Sequence, residues 1–332
     1  MTAMPKAMSS TVRRSRDWDV MWERYGITAV LLVVWALAAV TTPNFATPDN
    51  FLNVLRQGSF IGVAAVGMTI AIISGFFDLS IASTLALCAW VAVWVASRYG
   101  VAASFASALA VGCVIGLING WLVSKVRIPA FIATLGMMFI IAGFTLIITK
   151  GEPVRFNGPS FIWWGNEFIW IFPVPFVVFV VCTLIGAGLL QFSTPGRYVY
   201  AMGSNSKAAR VAGVPLERMT QVVFVVVSLF TAIASFLIGS RLYSANPGLE
   251  AGYELRVIAT VVLGGTRLAG GRGSMLGTVS AALLFATLGN VLNLLHADPF
   301  LQRIVEGLVL LVALSIEGVR QRIAERLSRK IE

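Results

Sequence analysis

The sequence predicts an all-α, polytopic integral membrane protein with about ten transmembrane helices and two broken or re-entrant segments. Three observations predict it. Hydrophobic residues make up 58% of the 332 residues and charged residues 12%, about half of the ~25% charge of ordinary globular chains. Mean hydropathy is +0.85. Second, eight runs of 19 residues or more carry no Asp, Glu, Lys or Arg: 25–48, 57–77, 79–97, 99–124, 128–149, 168–196, 219–240 and 273–297. A helix needs ~20 apolar residues to cross a ~30 Å hydrocarbon core. Third, the charges cluster: 20 of the 40 fall in 1–26, 192–220 and 318–332. This pattern excludes a soluble enzyme, a secreted disulfide scaffold and a disordered chain. A β-barrel would show ~10-residue alternating segments instead.

The first run, 25–48, contains an A-x-A pattern at Ala36-Leu37-Ala38. That site sits inside the apolar run behind a long basic leader, so an uncleaved helix is expected rather than a signal peptide. Thr42-Pro43-Asn44 reads as its outer turn. The remaining seven runs follow as spans. Two weaker segments, 257–266 and 299–316, bring the crossings to ten; the latter is interrupted by Arg303 and Glu306. An even count puts both termini on one side. Placing 1–26 in the cytoplasm assigns 18 of the 25 basic residues to cytoplasmic segments, as the inside-positive bias requires. The organisation is then a cytoplasmic segment 1–26, a transmembrane domain 27–317 with a cytoplasmic loop 192–220, and a cytoplasmic tail 318–332. The net charge of +10 is accounted for by these loops, and nucleic acid is not an expected partner. Cys88, Cys113 and Cys182 lie in apolar runs without CxxC spacing and read as packing residues.

Gly75-Phe76-Phe77-Asp78 interrupts one long apolar stretch, and Gly264-Gly265-Thr266 through Gly270-Gly271-Arg272-Gly273 interrupts another. Neither has the polarity of a long aqueous loop. Membranes tolerate such irregular backbone only where protein or a water-filled path surrounds it. An offset of 195 places Gly75 on Gly270, Ala64 on Ala259 and Ser83 on Thr278, a faint parallel two-half repeat. Paired interrupted segments in two halves point to a transport pathway.

The chain carries no nucleotide loop of its own. None of its five lysines sits in GxxxxGK[ST], and Gly271-Arg272-Gly273 lacks the third glycine of GxGxxG. Its single histidine, His296, sits at an outer helix end, and no HExxH or paired intramembrane carboxylates occur, so a membrane-embedded enzyme has no catalytic set. Asp78 is the outstanding intramembrane charge. It costs at least ~2.5–3.5 kcal/mol in hydrocarbon, so it belongs at a helix break, capped by backbone N–H groups or facing water. Asp78-Leu79-Ser80 reads as a helix start with Asp78 as N-cap; solute contact and proton coupling are the alternatives.

Residues 195–219 form the longest expected cytoplasmic connection between spans. Asn205 or Ser206 can cap a short helix over 207–212, Gly213 can end it, and Pro215 prevents continuation. A solvated amphipathic loop is the plainer alternative; a short capped helix would be a rigid lever.

This segment resembles the cytoplasmic coupling loop of ribose-type permeases, the membrane subunits of bacterial ABC sugar importers. The matching residues are Gly196-Arg197-Tyr198, Ala201-x-Gly203-x-Asn205, Ala208-Ala209 and Gly213. Asp78-Leu79-Ser80 looks like that family's DLSVGS motif. Asn119-Gly120 with Ile128-Pro129-Ala130-Phe131-Ile132-Ala133-Thr134-Leu135-Gly136 resembles its next loop and helix. Gly252-Tyr253-Glu254-Leu255 and Val261 to Gly273, with Gly264, Gly265 and Gly271, resemble its second-half signature. The chain departs from the pattern at Phe76-Phe77 and Ile81-Ala82, which bears on substrate identity.

The resemblance implies a permease in the bacterial inner membrane that imports a monosaccharide, a pentose or a hexose. It implies a second permease subunit, identical or related, and a periplasmic sugar-binding protein. It also implies a cytoplasmic ABC ATPase holding ATP and Mg, with no cofactor on this chain. Gly203, Asn205, Ala208, Ala209, Arg210 and Gly213 become the expected ATPase-coupling residues. Asp78, Leu79, Ser80, Gly264, Gly265, Gly271 and Gly273 become expected pathway or helix-break residues. Arg241, Glu250 and Glu254, on an outer segment, become possible docking residues for the binding protein. A permease for branched-chain amino acids or another non-sugar solute, and an ion-coupled secondary carrier, are the competing readings.

Overall fold

The computed structural model describes residues 8–248 and 252–298 and isolated positions from 300 to 315, with side chains from Tyr25 onward. It is mostly helical (78%). The helices are α1 (Met8–Thr41), α2 (Pro48–Ile73), α3 (Ile81–Ser124), α4 (Ala130–Thr149), α5 (Pro159–Asn166), α6 (Val174–Phe192), α7 (Thr194–Ser204), α8 (Ser206–Val211), α9 (Leu216–Leu242), α10 (Tyr253–Leu263) and α11 (Met275–Leu294). Among the described residues six of them, α2, α3, α4, α6, α9 and α11, are long and apolar enough to cross a membrane, and Tyr25–Thr41 of α1 is a shorter apolar stretch. Two small antiparallel ribbons interrupt the all-α expectation. Strand β1 (Val154–Arg155) pairs with β4 (Ser244–Ala245), and β2 (Phe168–Ile169) pairs with β3 (Phe172–Pro173).

Several boundaries differ from the charge-free runs, for local reasons. Helix α1 ends at Thr41, and α2 starts at Pro48, well before the run at 57. Thr47 is its N-cap, Pro48 opens its first turn and Asp49 lies there as well, where an acid suits the positive end of the helix dipole. The run 168–196 opens as the β2–β3 ribbon, and α6 begins only at Val174, with Pro175 in its first turn. Helix α3 has 44 residues, about 66 Å if straight at ~1.5 Å per residue, twice the thickness of a ~30 Å core. It is not straight. Gly100 has φ 81° and ψ 177°, and Ser104 Oγ donates to Ala92 O at 2.7 Å. The chain therefore doubles back, and the runs 79–97 and 99–124 are the two arms of a hairpin.

Helix α2 is the axis of the bundle: 78% of its apolar window is buried, against 28% in α3 and in α4, so the latter two supply lipid-facing surface. Helix α11 runs antiparallel to α2. Asn50 and Asn290 exchange reciprocal amide hydrogen bonds of 2.9 and 2.7 Å, and Thr69 Oγ1 lies 2.8 Å from Thr278 Oγ1. Helix α1 lies along the outside of α11 through Trp35 Nε1 to Thr287 Oγ1 (2.7 Å) and the Thr28–Ser280 hydroxyl pair (2.8 Å). The second arm of α3 meets α9 through Gly112, Gly116 and Gly120, four residues apart. A Cβ at Gly116 would lie 2.6 Å from Val225 Cα, and one at Gly120 2.8 Å from Gln221 Cα. Small residues at this spacing bring two backbones together, the usual device of helix pairs in membranes.

The two helix breaks end their helices in the same way. Gly75 N donates to Ile72 O (2.9 Å) and Phe76 N to Ala71 O (2.9 Å) at the end of α2; Gly265 N donates to Val262 O (2.8 Å) and Thr266 N to Val261 O (3.2 Å) at the end of α10. Both glycines have φ 85°, the left-handed conformation of a Schellman cap. The matching hydrogen bonds therefore relate Gly75 to Gly265, an offset of 190 and not 195. The helices resume at the N-caps Ser80 and Ser274, an offset of 194. Gly270 is instead a spatial neighbour of Gly75: a Cβ on Gly270 would lie 3.1 Å from Gly75 Cα.

Candidate functional site

The residues singled out in the sequence lie at three places. The first is the surface segment α7–α8. Asn205 is the N-cap of α8, its Oδ1 accepting from Ala208 N at 3.0 Å. Ala209 is buried beneath the helix. Gly213, at φ 82°, ends it, donating to Arg210 O at 3.1 Å while Val214 N reaches Ala209 O at 3.0 Å. The helix spans Ser206–Val211, one residue from the sequence expectation at each end. Val211 at its tip is 91% exposed.

Helix α7 precedes α8 within the segment expected to be loop. Its signal is Ser193-Thr194-Pro195: Ser193 Oγ accepts from Gly196 N at 3.0 Å and Pro195 sits in the first turn. A Cβ at Gly196 would overlap Leu189 O and Leu190 O, so α7 folds back hard against the end of α6. The α7–α8 segment stands between two clefts. One of about 330 Å³ is lined by Ser74, Gly75, Arg127, Gly203, Arg210 and Glu217. The other, about 690 Å³, is lined by Gln191, Tyr200, Gly271, Arg272 and Ser274 among others. Burial pushes the Tyr200 phenol above its ordinary pKa. Lys125 at the end of α3 and Glu217 at the start of α9 form an ion pair of 2.6 Å with both side chains about half exposed. It adds little by itself, and its Glu217 is one of the residues lining the smaller cleft.

The second place is the break between α2 and α3. Asp78, Ser80 and Asn119 are all fully buried. Asp78 is not the N-cap that the sequence suggested. Helix α3 starts at Ile81 with Ser80 in the cap position. Asp78 sits two residues earlier, where Oδ1 accepts from Ser80 N at 2.9 Å and from Ser80 Oγ at 2.6 Å. Asn119 Nδ2, from the other arm of the α3 hairpin, donates to Ser80 Oγ at 2.8 Å and lies 3.5 Å from Asp78 Oδ2. The carboxylate thus ties the break to the hairpin. Leu79 is buried beside it. In the other break, a Cβ on Gly264 would lie 2.7 Å from Thr278 N, and one on Gly273 2.7 Å from Ile73 Cγ1. These glycines let the α10–α11 break pass against neighbouring chain.

The third place is the opposite end of the bundle. Arg241 Nη1 donates to Asn166 Oδ1, and Arg56 Nη2 donates to Asn166 O at 3.1 Å. Arg56 also lies over the Phe168 ring, 4.9 Å from its centroid. Arg241 thus ties α5 to α9, while Arg56 ties the end of α5 and the β2–β3 ribbon to α2. Glu254, in the first turn of α10, has one carboxylate oxygen buried without a hydrogen-bond partner. Glu250 lies outside the described residues, as do the N-terminal 1–7, the tail 318–332 and most of the expected span 299–316. Among the described residues no group of three or more His, Cys, Asp or Glu is placed to hold a metal ion.

Buried broken helices, a lipid-facing rim and a capped surface helix between spans define a polytopic membrane protein of the transport class. The chain belongs to the family described as branched-chain amino acid transport system / permease component, which it matches over residues 50–314. It is 37% identical to the ribose import permease protein RbsC of Escherichia coli (strain K12) over 320 residues, 94% of this chain and 99% of the relative. It is 37% identical to the L-arabinose transport system permease protein AraH of Escherichia coli (strain K12) over 330 residues, 97% and 98% of the two chains. The ribose import permease protein RbsC of Bacillus subtilis (strain 168) is 36% identical over 310 residues, 92% and 96% of the two.

Proposed function

We propose that this chain is the permease subunit of an ABC importer for a monosaccharide, with pentoses the first candidates. The observation that carries the sugar is the identity of 36–37%, over nearly the whole chain, to permeases named for ribose and arabinose. The family as a whole is described by branched-chain amino acids, so an amino acid remains the second reading. The chain itself is a transport subunit and not an enzyme. ATP and Mg belong to a cytoplasmic ATPase on a separate chain, in keeping with the missing phosphate loop. The α8 helix, with exposed Val211 and its Asn205 and Gly213 caps, is the surface offered to that ATPase. Arg210, Ala208 and Ala209 shape it. A periplasmic binding protein delivers the solute to the opposite end, near Arg241 and Glu254, and a second permease completes the path.

We further propose ten crossings in the bacterial inner membrane with both termini cytoplasmic. The hairpin at Gly100 supports counting α3 twice, and α1, α10 and the segment 299–316 supply the crossings beyond the six long helices. The like caps at Gly75 and Gly265 support two related halves. The solute reading is tested in proteoliposomes holding the permease, its ATPase and its binding protein. Uptake of labelled ribose or arabinose, not competed by excess leucine, is the expected result; uptake of leucine alone would overturn the sugar reading.

A further inference from the structure

Gly203 was assigned in the sequence to the surface that meets the ATPase. Its position says otherwise. It lies one residue before the last position of α7 and two before the N-cap of α8, and it points inward. A Cβ there would overlap Ile73 O at the end of α2 and lie 2.5 Å from Gly271 N in the α10–α11 break. Those two groups are themselves bonded, Gly271 N donating to Ile73 O at 2.8 Å. A Cβ on Gly270 would lie 3.1 Å from both Gly203 Cα and Gly75 Cα, and one on Gly271 2.9 Å from Ser204 Cα. Gly75, Gly270 and Gly271 have φ of 85°, 83° and 75°, which side-chain-bearing residues rarely adopt.

Three remote segments thus touch at bare backbone: the cap of α2, the turn before α11, and the end of α7. We infer that Gly203 is the mechanical joint through which α8 moves both helix breaks together, a positioning residue for transport rather than a contact for the ATPase. The physics is one of stiffness. Side chains between two elements absorb small shifts by changing rotamer, whereas backbone against backbone has no such slack. A displacement of α8 is therefore delivered at once to the end of α2 and to the turn that leads into α11. The inference rests on the permease reading above, since it supplies the partner that displaces α8.

The test is the ratio of sugar moved to ATP hydrolysed in proteoliposomes holding permease, ATPase and binding protein. This ratio does not depend on how much folded protein is present, so a purely structural defect leaves it unchanged. Gly203→Ala is expected to lower it at least about tenfold while ATP hydrolysis continues, because a strained joint disfavours one of the two states that the ATPase must interconvert. Gly75→Ala meets no overlap, its nearest neighbour being Gly203 Cα at 3.8 Å, but it strains the φ of 85° that sets the α2 side of the joint, and it decides the matter if Gly203→Ala does not accumulate. Gly188→Ala, with nothing within 4 Å, is the control expected to keep the ratio. An unchanged ratio in Gly203→Ala, or in Gly75→Ala where only that variant accumulates, overturns the joint. Absence of ATP-dependent uptake by the unaltered chain would overturn the permease reading itself, a distinct outcome.

Discussion

At the scale of single residues, Asp78 is informative because its burial is complete and its partners are few. Its Oδ1 satisfies both the N–H and the hydroxyl of Ser80. Asp78→Ala leaves both Ser80 donors without this acceptor, while the Asn119 amide keeps Ser80 Oγ at 2.8 Å. A buried group so orphaned costs about 1–3 kcal/mol, and thermal unfolding in detergent should show a lower midpoint. An unchanged midpoint would mean that water replaces the carboxylate. Asp78→Asn keeps an acceptor on Oδ1 and should lose less. The role of Asp78 was half legible. Its burial at a break followed from the cost of charge in a membrane, but the cap position went to Ser80, because the chain needs two further residues to turn into α3.

Gly116 makes a similar point about packing. A Cβ would lie 2.6 Å from Val225 Cα, so Gly116→Val separates α3 from α9. Overpacking of this kind typically costs about 1–3 kcal/mol. Gly136→Ala, in a helix with nothing within 4 Å of the new methyl, should leave the unfolding midpoint where it is. Equal midpoints for the two variants would contradict the close approach of α3 and α9. The spacing of Gly112, Gly116 and Gly120 is visible in the sequence, but it does not say which helix meets that face.

At the scale of elements, α8 was the most legible feature because all of its signals are local. Asn205 caps it, Gly213 stops it and Pro215 separates it from α9. Gly213→Pro removes the N–H that reaches Arg210 O and demands a φ near −65° where the backbone has 82°. Arg210→Glu reverses the charge beside the cleft shared with Arg127 and Glu217. Both variants should insert into the membrane in normal amounts and lose sugar uptake by about tenfold or more, as expected when a coupling of 1–3 kcal/mol between sites is removed. Uptake at the original rate in both would remove α8 from the mechanism. Elements set by longer-range partners were read less well. The ribbons β1–β4 and β2–β3 hold two residues per strand, too few to show a period. Helix α7 hid within a stretch read as loop, although Ser193 and Pro195 announced its start.

At the scale of the whole molecule, the charge-free runs fall on the six long apolar helices and on the shorter apolar stretch Tyr25–Thr41, because hydrocarbon excludes charge whatever the tertiary fold. Arg98 even separated the two arms of α3 two residues from the actual turn at Gly100. The meeting of Gly75, Gly203 and Gly270 could not be read in this way. It joins segments more than 60 residues apart, and no local rule brings them together. The offset of 195 aligns Gly75 with Gly270, which are neighbours in space, whereas the like cap hydrogen bonds of the two breaks match Gly75 to Gly265.

The central claim is that an ATPase on another chain drives solute through this permease. The most direct measurement is sugar uptake into vesicles holding the chain with its ATPase and binding protein, compared with vesicles holding the chain alone under an imposed proton or sodium gradient. The account predicts uptake that needs internal or external ATP on the ATPase side and survives collapse of the ion gradients by ionophores. Uptake driven by the gradient in vesicles without the ATPase would contradict it.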